Sequence, residues 1–118
     1  MIQLPRMNRG GKAYTQQVEM TRALVTERVQ YWSGVFGIAF GKIAIRKQKT
    51  RWGSCSSAGN LNFNYRLGFL PFELMDYVVV HELCHIKKYN HSKDFWNLVA
   101  EAYPNHSQLH KILETYRF

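Results

Sequence analysis

The chain has 118 residues, 46% of them apolar, and its 16 Lys/Arg against 8 Asp/Glu give a formal charge of +8. That length makes one domain, large enough for its own core yet near the size at which a bound metal adds usefully to stability. No apolar run approaches the roughly 20 residues that span a bilayer, and Met1 to Arg6 has no apolar signal-peptide stretch, so the expectation is a cytoplasmic protein with no membrane partner.

In chain order, residues 1–11 read as a flexible tail ending in Gly10-Gly11, and residues 12–118 as a single domain. From about Ala13 to Phe36, Val18, Leu24, Val25, Val29, Trp32 and Phe36 recur at helical spacings before Gly37, which predicts an amphipathic helix. Strand-like runs follow at Ile38-Ala39-Phe40, Lys42 to Arg46 and Thr50 to Ser54. A turn at Ser56-Ser57-Ala58-Gly59 leads into Asn60 to Tyr65, which alternates strictly. Together these predict a small, mostly antiparallel sheet of about three strands. Pro71 suits a first helical turn, and Glu73 and Asp76 suit the positive end of a helix dipole. A helix is therefore expected from about Pro71 to Lys88, with Leu74, Tyr77, Val78, Val80 and His81 inward. Val78-Val79-Val80 are weak helix formers, which argues for tight burial against the sheet. Asn90 is expected in the left-handed conformation that ends this helix and swings His91 back. Ser92 should cap the next helix, closed by Pro104, and a last helix should run from about Ser107 to Tyr116.

The stretch that carries chemistry is His81-Glu82-Leu83-Cys84-His85 with His91 beyond it. Residues four apart on a helix lie about 40° apart around its axis, so His81 and His85 can face one ion. Glu82 misses the ligand set but can reach a water on that ion, which is the HExxH arrangement. Three neutral imidazoles leave one tetrahedral position open, the pattern of a catalytic zinc rather than a structural one. One Zn2+ held there would polarise a scissile carbonyl and acidify the water, while Glu82 moves its proton to the leaving amine. The implied reaction is hydrolysis of a peptide or similar amide bond. The three histidines share the metzincin spacing, yet metzincins carry Gly where this chain has Lys88, and a Met-turn downstream. Here Met1, Met7, Met20 and Met75 all lie upstream. In a gluzincin-type alternative the third ligand would be Glu101, at a separation from His85 that is short for that class.

Charge is unevenly placed: residues 1–51 hold ten Lys/Arg against two acids, residues 52–118 six against six. The basic run beside Trp52 suits a polyanion, so nucleic-acid contact through residues 42–51 is one expectation, set against a merely solvated face. The alternative function is thus a non-catalytic, zinc-stabilised module whose basic half binds DNA or another polyanion. His106 and His110 lack an adjacent Glu or a third ligand and read as surface histidines. Cys55 and Cys84 suit reduced thiols, and Cys84, turned about 100° from His85, reads as a small buried residue.

Read together, Arg51-Trp52-Gly53-Ser54-Cys55-Ser56-Ser57, Gly59-Asn60-Leu61, Tyr65-Arg66-Leu67, Asp76 to Leu83, Asn90-His91-Ser92 and Phe95-Trp96 closely resemble the YgjP-like metallopeptidase family, relatives of the SprT-like and WLM zincins. The resemblance implies an α+β, zincin-like minimal metallopeptidase domain: an N-terminal helix, a small sheet, an active-site helix carrying HExxH and two C-terminal helices. It also implies zinc at His81, His85 and His91, Glu82 as catalytic acid/base, and a protein or peptide substrate. In zincins the strand before the active-site helix rims the cleft and pairs with extended substrate. By that resemblance Asn60 to Tyr65 is the candidate rim, with Asn60, Asn62 and Asn64 as substrate-binding residues. The Arg51-to-Cys55 block reads as support for the site, with Arg51 able to bring a charge to the cleft. Tyr65, Tyr77 and Tyr89 are candidate oxyanion donors.

Overall fold

In the computed structural model, which describes all 118 residues, the first helix is α1, Lys12–Phe36. Its buried positions, Gln17, Thr21, Val25 and Val29, are spaced by four and make one narrow stripe, which leaves Leu24 on the exposed side. Gly37 ends the helix at φ 66°, a left-handed conformation that a side chain would strain, and donates its N–H to Ser33 O. The run Ile38-Ala39-Phe40 forms no strand. Ile38 donates its N–H to Ser33 O and accepts the Ser33 hydroxyl at its carbonyl, so the helix end has taken its ladder groups.

Three strands follow, β2 Ile43–Arg46, β3 Gly53–Cys55 and β4 Leu61–Asn64, in the order β2-β4-β3. β3 and β4 form an antiparallel pair with Ser54 opposite Asn62, whereas β2 runs parallel to β4 with Ile43 opposite Leu61. The sheet is therefore mixed and not mostly antiparallel. Residues 47–52 cross from one side of β4 to the other, and the buried Asn64 amide fastens that crossing by donating to Gln48 O (3.0 Å) and Arg51 O (2.9 Å). Alternation along a strand reports its two faces, not the direction of its neighbour.

After a 3-10 turn at Tyr65–Phe69 comes α2, Phe72–Lys87. Eleven of its 16 residues are buried, Val78, Val79, Val80 and Cys84 among them, because α1, β3 and the two later helices pack around it. Asp76, only 1% exposed, ties α2 to its neighbours: it accepts from Arg28 Nε (2.7 Å) and Nη2 (3.2 Å), Trp32 Nε1 (3.0 Å) and the Tyr103 hydroxyl (2.6 Å). α3 is Lys93–Ala102, with the Ser92 hydroxyl accepting from Phe95 N–H as its cap, and α4 is His106–Leu113. α4 stops short of Tyr116 because Tyr116–Arg117 forms β5, parallel to β1 at Ile2–Gln3. The segment expected as a flexible tail is thus docked at its start, with Leu4 buried and Met7 O accepting from Lys47 Nζ (2.8 Å). No helix is long and apolar enough to cross a membrane.

Candidate metal centre

α2 supplies His81 and His85 one turn apart, and the loop after it supplies His91. Their Nε2 atoms form a triangle of 3.3 Å (His81 to His85), 3.0 Å (His85 to His91) and 3.3 Å (His81 to His91). A tetrahedral ion with bonds of about 2.0–2.1 Å sets its nitrogen ligands about 3.3–3.4 Å apart, so the triangle has the size of three corners of such a site. The tautomer agrees. His85 Nδ1 lies 3.1 Å from Lys88 O, and donating there leaves a lone pair, not a proton, at Nε2. Burial drives the His81 pKa down to about 3, helped by the charges of His85 and His91, and burial also lowers His85. Neutral imidazole is the form that binds a metal. Glu101 is exposed and does not join the cluster, which comprises the three histidines.

The apolar face of α3 braces these histidines. Phe95 stacks on His85 with ring centres 4.2 Å apart, and Trp96 lies nearly parallel to His91 at 5.7 Å. The loop reaches its position without a left-handed residue. Lys88 is extended at φ −130°, and no residue other than glycine has positive φ, so Asn90 does not make the turn expected of it. The bond from His85 to Lys88 O ends the helix instead.

Glu82 is 8% exposed, and burial lifts its carboxyl to about 7 against the opposing pull of Arg51. It lies directly against β3: a Cβ on Gly53 would stand 2.9 Å from Glu82 Cγ and 3.1 Å from Asn62 O, so this approach requires glycine. Two cavities meet at Glu82. One, of about 170 Å³, is walled by Trp52, Tyr77, Val78, His110 and Leu113. The other, of about 290 Å³, is bounded by Ser54, Cys55, Tyr89 and His91. Arg51, Gly53, His81 and Glu82 line both.

Asn60, Asn62 and Asn64 do not line this cleft. β4 is the central strand, with β2 on one edge and β3 on the other, so it has no free edge to offer a substrate. Asn60 Oδ1 accepts from Lys42 N–H (2.8 Å), Asn62 Oδ1 from Arg46 Nε (3.4 Å), and Asn64 holds the crossing. The edge strand beside the site is β3, and residues 51 to 55 form cleft wall rather than support alone. Of the basic stretch 42–51, Lys42 and Arg46 lie at the opposite edge of the sheet and Arg51 reaches the cleft. Among the tyrosines, Tyr65 is buried against Tyr14 and lines neither cavity, and Tyr89 stands exposed at the rim. Tyr77 lines the smaller cavity, its hydroxyl 3.1 Å from His110 Nδ1. His110 is therefore a wall of the cleft and not simply a surface histidine. Its partner is 33 residues away, so spacing carried no sign of the pairing.

A helix with paired histidines and a buried glutamate, a third histidine from the following loop and an edge strand alongside define a zincin-like metallopeptidase domain. Residues 10–116 match the family described as YgjP-like, metallopeptidase domain, and the chain belongs to that family. Two solved zymogen structures are similar. The metallopeptidase abylysin of Pyrococcus abyssi superposes with a TM-score of 0.71 at 25% identity, over 77% of this chain and 92% of that one. Jannalysin of Methanocaldococcus jannaschii superposes at 0.66 and 23% identity, over 77% of this chain and 95% of that one. No curated protein matches the chain.

Proposed function

We propose that this metallopeptidase uses zinc, held by His81, His85 and His91, and hydrolyses peptide bonds with Glu82 as general base and then acid. The observation that carries the reading is the triangle of Nε2 atoms at 3.0–3.3 Å with the buried Glu82 beside it, at the junction of two cavities. Three imidazoles suit zinc and leave a fourth position free. Zinc bound there supplies a Lewis acid for the scissile carbonyl and lowers the pKa of water.

The rest is done by side chains of the protein. Glu82, lifted by burial toward neutrality, takes the proton of the attacking water and returns it to the leaving amine. Tyr77 is the tyrosine best placed to donate to the carbonyl oxygen as charge develops on it, since its ring meets His81 edge-on at 5.9 Å and lines the same cavity. The outer edge of β3 offers backbone groups to an extended peptide, which would read little of its side chains.

The test is zinc content by elemental analysis of the wild type and Glu82→Gln, each assayed for cleavage of an unfolded protein. Near-stoichiometric zinc in both, with cleavage by the wild type alone, is the expected result. Zinc in both without cleavage in either would move weight to the zinc-stabilised binding module or to a different substrate, and a properly metallated preparation that holds no metal removes the site.

A second activity has one observation in its favour: Lys42 and Arg46 stand together along the β2 edge of the sheet with no carboxylate paired to either. We propose that this edge contacts a polyanion such as DNA. Affinity that falls steeply with salt is expected, and absent or salt-independent binding ends the proposal.

A further inference from the structure

Arg51 lines both cavities, together with Gly53, His81 and Glu82. Its backbone is held, because its carbonyl accepts from the buried Asn64 amide at 2.9 Å. Its side chain is exposed, and no carboxylate in the chain pairs with it. Arg28, Arg22 and Arg66 are held by Asp76, Glu19 and Gln48 O, and Arg51 is the arginine that lines the cleft. The acid that Arg51 feels is Glu82, which the hydrolytic chemistry occupies. The adjoining wall is apolar, from Val78, Leu113 and Trp52, whose ring is fixed edge-on against Phe118 at 4.6 Å. The planar fork of Arg51 matches a carboxylate at two points, and the apolar wall beside it suits an uncharged neighbouring group.

We propose that Arg51 is the anion-recognising residue of the cleft. It binds a carboxylate of the peptide, contributed by the C-terminus or by an Asp or Glu side chain, while a neighbouring apolar group enters the cavity of about 170 Å³. That the ligand is a peptide rests on the peptidase reading; the recognition of an anion beside an apolar group rests on Arg51 and the cavity.

The test is calorimetric binding of paired peptides to the zinc-loaded Glu82→Gln protein, which cannot consume them. One pair compares a C-terminal leucine as free acid and as amide, and the other compares an internal Glu with Gln. In at least one pair the carboxylate member is expected to bind about tenfold tighter, and the responding pair identifies the source of the anion. The advantage should vanish on adding Arg51→Gln and return in part with Arg51→Lys, with thermal midpoints unchanged. Equal binding within both pairs, no binding of any peptide, or a preference that survives Arg51→Gln would overturn the proposal. Carboxylate binding that depends on Arg51, in a wild-type protein that cuts none of the peptides, would remove the peptidase reading and leave the subsite standing.

Discussion

Replacing Asp76 by alanine strips three side chains, with four donor groups between them, of their shared acceptor at once. Asp76 is 1% exposed and the Arg28 side chain 20%, so the pair is nearly dry. Removing one partner of a buried ion pair costs about 3–5 kcal/mol, and partial exposure of Arg28 places the loss near 3 kcal/mol. Trp32 Nε1 and the Tyr103 hydroxyl lose the same acceptor, which adds about 1 kcal/mol after water recovers part of the bonding. Unfolding 118 residues carries an entropy near 0.25 kcal/mol/K at the midpoint, so a loss of about 4 kcal/mol lowers Tm by about 16 °C. The assay is thermal unfolding by circular dichroism on metal-loaded protein. Trp32→Phe removes one donor and retains most of the packing, so it should lower Tm by only about 4 °C. If Asp76→Ala proves too unstable to isolate, Asp76→Asn, which retains one accepting oxygen, should fall between the two. A drop below about 4 °C for Asp76→Ala would refute the view that this carboxylate clamps α1 and α3 to the active-site helix.

Gly53→Ala should retain its metal but lose activity, by about 10²-fold if the new Cβ displaces the Glu82 carboxylate by 1 Å; unchanged kcat would show that the close contact is unimportant. Tyr77→Phe should lower kcat by about 10²-fold with little change in KM, and an equal effect on both would contradict an oxyanion role. The Tyr103 phenol is pushed up by burial and then by its bond to Asp76. The fold holds the neutral form, so this stability is present below the ordinary value of 10 and is lost as pH rises beyond it. Denaturation curves should show that alkaline loss in the wild type and a shallower one in Tyr103→Phe. Free zinc at about a thousand times its dissociation constant should stabilise the fold by about 4 kcal/mol, and a chelator should lower Tm accordingly. A midpoint indifferent to chelator would mean that the triangle binds no ion.

What could be read without coordinates was the local part. Two histidines four apart lie on one face of any helix, so the pairing of His81 with His85 was legible, as was α3 from its Ser92 cap, whereas His91 joins them without the left-handed Asn90 expected to bring it back. The strand beside the site was not legible. Asn60 to Tyr65 alternates more strictly than Gly53 to Cys55, yet alternation marks a strand without ranking it as central or edge, and the crossing at 47–52 decides that rank. Arg51 and Gly53 acquire their roles only when β3 is laid against α2. β1 and β5, two residues each, are too short to show a period.

The two kinds of support under the histidine triangle differ in rigidity. His81 and His85 rest on a helix with eleven of its 16 residues buried, while residues 87 to 94, including His91, are all exposed. An excursion of that loop breaks the His91 contact together with the bond between His85 Nδ1 and Lys88 O. A metal held there is expected to exchange through a local opening of a few residues and not through unfolding of the domain. Amide hydrogens of residues 88–92 should exchange on the timescale of metal loss to a chelator, while those in the middle of α2 stay protected.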